Sequence, residues 1–311
     1  MDLKQLEYFA QVAELGSFTR AAAVLQVAQP ALSRQVRTLE VELRQALLIR
    51  NGRGVTPTEA GQRLLAHARG ILQQVQRARD DLEDQRGVAT GRLAIALPPS
   101  VSRVLTGPLV AAFRAQLPRA TLSVVEGLSA YALEWLAIGR VDCAVVYNVT
   151  PSPAVELQPL LDEPLYLVSA RTPRPQLRPG AARAEPALRR GRAIGLAEVA
   201  RHELVIPSRP HSVRMLLESA LATEGCRAHV ALEIESVPAM LDLVRQGGCH
   251  AVLAEAAVRT CASPQDFQLR PIGPPALVAT LWMATSAQRP RGPLIEQGTA
   301  LVRELLPGLL A

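Results

Sequence analysis

Three short runs in the first 43 residues space their apolar side chains at steps of three and four, with breaks of only a few residues between them. Leu3, Leu6, Phe9, Ala10 and Ala13 make one helix face. Gly16 ends that helix, and Ser17 suits the cap of the next, an alanine-rich helix from about Phe18 to Leu25. After the break Gln26-Val27-Ala28, a third helix starts near Gln29-Pro30, where proline's missing N–H would be unpaired anyway. Leu32, Val36, Leu39 and Leu43 form its buried stripe, and Ser33, Arg34 and Arg37 point elsewhere.

Two short helices joined by a tight turn, the second with a polar N-terminal face, describe a helix-turn-helix. Such a second helix enters the major groove and offers its first residues to base edges. Arginine suits guanine O6/N7, and serine and glutamine suit bases or phosphates. Asn51-Gly52 lies between two short extended runs and predicts a tight hairpin, a wing with Arg53 at its tip. From Ser17 to Arg69 eight arginines (20, 34, 37, 44, 50, 53, 63, 69) face three acids (Glu40, Glu42, Glu59), a local excess of 8 − 3 = +5. The whole chain of 311 residues carries +6, which suits a polyanionic partner.

Thr58 and Glu59 open a fourth helix. Leu64, Ala68, Ile71, Val75, Ala78 and Leu82 follow at steps of 4, 3, 4, 3 and 4, a heptad seam. About 30 residues at about 1.5 Å each make a rod of roughly 45 Å, too thin to bury that seam alone. Pairing with a second chain is the expectation, and packing on its own domain the alternative. A dimer presents two recognition helices and demands a roughly two-fold DNA site. Gly87 to Gly91 reads as a hinge.

Beyond the hinge, strands alternate with helices. Leu93–Leu97, Thr121–Val125 and Val141–Tyr147 read as strands, with helices at Val101–Leu117 and Ala130–Ile138 between them. A second set runs from Pro164 to Ala254. Two further strands, Phe267–Pro271 and Val278–Ala284, and a helix at Pro293–Leu306 close the chain. The alternation predicts α/β architecture with parallel sheets. Arg171 to Arg192, with seven arginines, four prolines and one acid, predicts a solvated surface loop.

Other classes receive little support. Cys143, Cys226, Cys249 and Cys261 form no C-x-x-C pair and have no zinc-ligand spacing, so reduced thiols are expected and no metal or cofactor. The first residues lack the pattern of a signal peptide, and no apolar stretch approaches about 18 residues, so a cytoplasmic protein without membrane spans is expected. G-x-S-x-G, H-E-x-x-H, the Walker loop and G-x-G-x-x-G do not occur, which disfavours an enzyme. A solute-binding protein would share the C-terminal pattern but not the first ninety residues.

The motifs also carry a family resemblance. Leu3-x-x-Leu6-x-Tyr8-Phe9, Gly16-Ser17-Phe18-x-x-Ala21-Ala22, Gln29-Pro30-Ala31-Leu32-Ser33-x-Gln35-Val36-x-x-Leu39-Glu40 and Thr56-x-Thr58-Glu59-Ala60-Gly61 resemble the N-terminal signature of LysR-type transcriptional regulators. Arg44-Gln45 stand where that family usually has an acid and a glycine. Gly139-Arg140-Val141-Asp142 is similar to the family's G-x-x-D turn. Val124 to Ser129, Val205 to Ser208 and Glu235-Ser236-Val237 resemble its nitrogen assimilation control subgroup.

The resemblance implies a winged helix-turn-helix over 1–58, a dimerising linker helix over 59–87 and a hinge at 88–91. It also implies a two-lobed effector module like a periplasmic binding protein, with lobe 1 over 92–162 plus 272–311 and lobe 2 over 163–271. The resemblance implies that Gln29, Pro30, Ser33, Arg34 and Arg53 face DNA, and Ser17, Thr19, Arg20 and Arg37 are expected to face it as well. The implied dimer seam is Leu64, Ala68, Ile71, Val75 and Leu82. Implied partners are promoter dyads, RNA polymerase, further copies in a dimer or tetramer, and a small-molecule effector. Ligands of open α/β folds sit beyond the carboxyl ends of strands, near helix N-termini suited to anions. Ser100, Ser102, Gly127, Leu128, Ser129 and Asn148 from lobe 1, and Pro207, Ser208 and His211 from lobe 2, are the candidates, for a small carboxylate or other polar metabolite.

Overall fold

The computed structural model describes residues 1–51, 54–83, 90–171 and 189–310. Helix α1 (Leu3–Leu15) opens with a reciprocal cap between Asp2 and Gln5 and ends at Gly16, whose φ of 62° is left-handed. Helices α2 (Phe18–Val24) and α3 (Gln29–Leu43) follow, and Phe9, Val12, Ala21, Leu32, Val36 and Leu39 close the core between the three. Strands β1 (Leu48–Asn51) and β2 (Gly54–Pro57) pair antiparallel, with Asn51 opposite Gly54. Asn51 is therefore the last paired residue of β1 rather than part of the turn; Gly52 and Arg53 lie outside the described residues. The hairpin docks on the α1–α2 turn: Val55 N–H donates to Gly16 O at 3.0 Å, and a Cβ on Gly54 would stand 2.8 Å from that oxygen.

Helix α4 (Glu59–Glu83) is capped by Thr58, whose Oγ1 accepts from Gly61 N–H. The expected heptad seam splits along it. Ala68 is fully covered by Leu6 and Ala10 of α1, and Leu64 packs half-buried in the same cluster, so this part of the seam is spent inside the chain. The reason is that α4 runs back along α1 before leaving the domain. Ile71 (38% exposed) and Ala78 face solvent, and Val75 is half-buried. Leu82 falls in the last turn, and its side chain lies outside the described residues.

The C-terminal module begins with β3 (Gly91–Leu97), α5 (Pro99–Gln116), β4 (Ala120–Glu126), α6 (Ser129–Ala137) and β5 (Cys143–Tyr147), with β3 parallel to both β4 and β5. A single long strand, β6 (Val155–Ala170), then crosses the module. Short elements β7 (Arg189–Arg190), α7 (Leu196–Val199) and β8 (Leu204–Ile206) precede α8 (Ser212–Thr223), β9 (Val230–Glu233) and α9 (Val237–Gln246). The chain closes with β10 (Ala251–Ala254), α10 (Glu255–Arg259), β11 (Phe267–Pro271), β12 (Val278–Ser286) and α11 (Pro293–Leu310). The main sheet has the order β4-β3-β5-β12-β6-β11-β7, with β10 also on β6.

Three expectations change. The main sheet is mixed rather than parallel, β12 being antiparallel to β5 and β6 and β10 and β11 antiparallel to β6, whereas β8 and β9 form a separate parallel pair. The strand expected from Pro164 begins nine residues earlier, because Pro159 is accommodated opposite Trp282, at the irregularity between Leu281 and Trp282. The first part of β6 pairs with β12 and the last with β10 and β11, so one strand joins both halves of the module. Of the arginine-rich segment, residues 172–188 lie outside the described residues, while Arg189–Arg190 form β7 against Gln268 and Leu269 instead of a loop. The apolar core is continuous from Leu93, Leu105 and Phe113 through Leu165 to Leu204, Ile206 and Leu217. Among the described residues, no helix is long and apolar enough to cross a membrane.

Candidate functional site

Pro30, Arg34 and Arg37 stand at i, i+4 and i+7 on α3, opposite the buried Leu32, Val36 and Leu39. They and Gln29 are exposed. Ala28, which precedes α3, has no side chain to cap it, so the positive end of the helix opens to solvent where a phosphate can be received. Thr19 and Arg20 are exposed at the start of α2. Ser17 and Ser33 are less available. Ser17 Oγ accepts from Arg20 N–H at 3.3 Å as the α2 cap, and Ser33 Oγ accepts from Arg50 Nη2 at 3.0 Å. Arg53 lies outside the described residues.

Two positioning residues of this surface were not anticipated. Arg50 of β1 stacks over the Phe18 ring at 4.5 Å while holding Ser33, tying hairpin, α2 and α3 together. Glu40 of α3 accepts from the N–H groups of Leu47 and Leu48 at 2.8 and 3.1 Å, which sets where the hairpin starts. In sequence Glu40 is one more acid on a helix; only the returning chain reveals its partners.

In the C-terminal module the N-termini of α5, α6, α8 and α9 converge on a cleft of about 170 Å³. Its polar lining is Ser100, Ser129, Tyr147, His211, Ser212 and Glu235, and its apolar wall includes Val213, Val237, Met240 and Leu253. Of the expected residues, Ser100, Leu128, Ser129, Pro207 and His211 line it. Four others serve the scaffold. Ser102 is buried and donates to Glu126 at 2.7 Å. Gly127 packs under the Trp135 ring. Asn148, at φ 48°, accepts from Thr280 N–H at 2.8 Å and locks β5 to β12. Ser208 is held outside the lining, its N–H donating to Glu235 at 3.0 Å.

Ser129 accepts from Tyr147 N–H at 2.9 Å and from Ser212 Oγ at 3.2 Å, the second contact reaching across the cleft. Both acceptor sites of its oxygen are taken, so its own proton is what it can offer a ligand. Behind it, Tyr147 OH donates to the buried Glu163 at 2.7 Å. Burial raises the Glu163 carboxyl above the usual range, opposed by the Tyr147 hydrogen bond and Arg259. Burial and Glu163 together raise the Tyr147 hydroxyl well above its ordinary value. His211 caps α8, its Nδ1 accepting from Val213 N–H at 3.3 Å; burial lowers its pKa against the pull of Glu235. The Pro207 carbonyl accepts from buried Arg214, which also bonds Glu218 at 2.9 Å and Glu233 at 2.8 Å, fixing this rim from behind. Tyr147 and Glu163 escaped the sequence reading; the one local signal was a lone aromatic hydroxyl closing an apolar strand.

A winged helix-turn-helix carried by a long helix on a two-part α/β module with a central cleft defines a one-chain regulator: a DNA reader joined to an effector-binding domain. The model described as "Bacterial regulatory helix-turn-helix protein, lysR family" matches residues 3–62, and the LysR substrate binding domain matches residues 86–307. The nitrogen assimilation regulatory protein nac of Klebsiella aerogenes is 35% identical over 312 residues, covering 100% of this chain and 96% of its own. A full-length OxyR variant from Pseudomonas aeruginosa shares the fold at TM-score 0.68 and 24% identity, over 98% of this chain and 94% of the other. So does full-length CbnR complexed with its target DNA, at TM-score 0.67 and 24% identity, over 98% and 99%. The chain belongs to the LysR family of DNA-binding transcriptional regulators, whose members here are regulators rather than enzymes, and is nac-like within it.

Proposed function

We propose that the protein acts in the cytoplasm as a dimer or tetramer that reads a promoter dyad through two copies of α3. Gln29, Pro30 and Arg34 meet base edges and the adjacent backbone, Arg37, Thr19 and Arg20 meet phosphates, and Arg53 of the wing reaches the neighbouring groove. Ile71, Val75 and Leu82 form the dimer seam, with Leu64 and Ala68 withdrawn from it. The observation that carries this reading is the exposed, uncapped N-terminal face of α3 backed by a complete apolar stripe. The CbnR structure of the same fold is bound to its target DNA, which supports it.

The lobes divide near Pro164 and Ile272, where β6 changes partners. The cleft takes a small molecule with an acceptor oxygen, a carboxylate or carbonyl, directed at the Ser129 hydroxyl and the helix N-termini, and an apolar body against Val237, Met240 and Leu253. At about 170 Å³ it is smaller than the roughly 300–1,000 Å³ of ordinary ligand pockets, so the Ser129–Ser212 contact must open to admit that ligand. Closure then shifts dimer packing, the spacing of the two recognition helices and polymerase recruitment. Footprinting on the promoter regions flanking its own gene, with and without ligand, tests this: a footprint or DNA bend that changes on saturation supports it, and identical footprints and bends reject the coupling.

A further inference from the structure

A second crevice, of about 530 Å³, lies where α1, α4 and lobe 1 meet, away from the cleft described above. Arg69 from α4, Arg92 from β3 and Arg140 from the turn before β5 converge on it. Each guanidinium is steadied by a separate contact. Arg69 Nε donates to Glu14 at 2.7 Å, Arg92 Nη2 donates to Ser123 at 2.8 Å, and Arg140 stacks on the Trp135 ring at 4.4 Å. Gln11, Gln73 and Gln76 complete the polar lining, with Gln73 Nε2 directed at Asp142 at 3.5 Å, and Glu7 and Glu14 are the acids of the rim.

We propose that this crevice binds a small multivalent oxyanion, a phosphate ester or a di- or tricarboxylate, between Arg69 of the linker helix and Arg92 and Arg140 of lobe 1. Guanidinium groups carry five N–H donors in a planar fork suited to paired anionic oxygens, and the contacts of Arg69 and Arg92 occupy one nitrogen each. Crowding these cations is unfavourable even with Glu14 paired to Arg69: burial and then Arg69 lower the Arg140 pKa. An anion placed between them removes that repulsion. The bound anion would bridge the DNA-reading domain and the effector module, so its occupancy sets how firmly α4 is held on lobe 1. This site and the Ser129 cleft share no lining residue, so the proposal stands or falls independently of the ligand reading above.

The test is calorimetric titration of the full-length protein with inorganic pyrophosphate and, separately, with citrate, at fixed ionic strength set by sodium chloride. Saturable binding of either probe is expected. Tighter pyrophosphate assigns phosphate esters, and tighter citrate assigns carboxylates. Arg140→Gln and Arg92→Gln should each weaken binding at least about tenfold, as for loss of a charge-assisted contact, while Ser129→Ala leaves it unchanged. Arg92 is an exposed side chain, so R92Q keeps the test valid if R140Q fails to fold. No saturable heat with either probe, affinity unaltered in a folded R92Q, or affinity lost in S129A would each overturn the assignment.

Discussion

Gly70 of the linker helix lies directly against the carbonyl oxygen of Ile138, at the end of α6: a Cβ added to Gly70 would stand 1.9 Å from that oxygen. One turn further on, Gln73 Nε2 comes to 3.5 Å of Asp142 Oδ2, which in turn accepts from Ala94 N–H at 2.6 Å. The linker therefore meets lobe 1 backbone to backbone, on the turn that leads into β5. Gly70→Ala should lift α4 from this turn, at a cost of about 1–3 kcal/mol for overpacking. Thermal unfolding together with distances between spin labels on α4 and lobe 1 measures it. An unchanged melting temperature with an unchanged distance would show the contact to be slack.

Arg34 is exposed on the outer face of α3, one turn from the helix start. If it reads a guanine, Arg34→Ala costs about 1–3 kcal/mol of binding and relaxes specificity at one position. Shift assays on a site scanned base by base distinguish this from an equal loss on every sequence, the mark of a phosphate contact.

Arg44 ends α3 with φ 51°, a left-handed position that suits glycine, and its N–H donates back to Glu40 O and Val41 O. A side chain there costs about 1–2 kcal/mol. Glycine removes that strain but returns roughly 0.5–1 kcal/mol through unfolded-chain entropy. Arg44→Gly should therefore raise stability by up to about 1.5 kcal/mol, read as a higher urea midpoint. A lower midpoint would mean that the arginine side chain stabilises the fold.

The His202 and His250 rings lie 4.4 Å apart, and His202 Nε2 and His250 Nδ1 are buried with no hydrogen bond among the described residues. Burial, then His202, lowers the pKa of His250; Arg270 adds to this and Glu203 opposes it. Folding thus favours the neutral ring. Its contribution is complete above the unfolded value of about 6.5 and is lost as pH falls through the lower folded value. Urea midpoints between pH 8 and pH 5 should fall, and less steeply in His250→Leu. Parallel curves for the two proteins would remove His250 from the acid response.

The helix-turn-helix was legible because its information is local: the stripe Leu32-Val36-Leu39, the Pro30 start and the Gly16 stop all act within a few residues. The lining of the cleft was half legible. Ser100, Leu128, Ser129, Pro207 and His211 follow from the rule that clefts lie beyond strand ends, but the same rule cannot tell Ser129, which faces the cleft, from Ser102, which turns back toward Glu126. Ala68 fits a heptad seam as well as any residue of α4, and only the return of α4 along α1 consumes it.

Periodicity, caps and turn residues, each acting over a few bonds, determined the order and type of the elements and the polar face that α3 presents. Tertiary structure alone decided which side chains meet across long stretches of chain: Glu40 on the hairpin, Tyr147 on Glu163, Gly70 on Ile138, and the three arginines of the second crevice. Those meetings depend on how helices and sheets stack to exclude water, and a spacing rule along the chain carries no record of them.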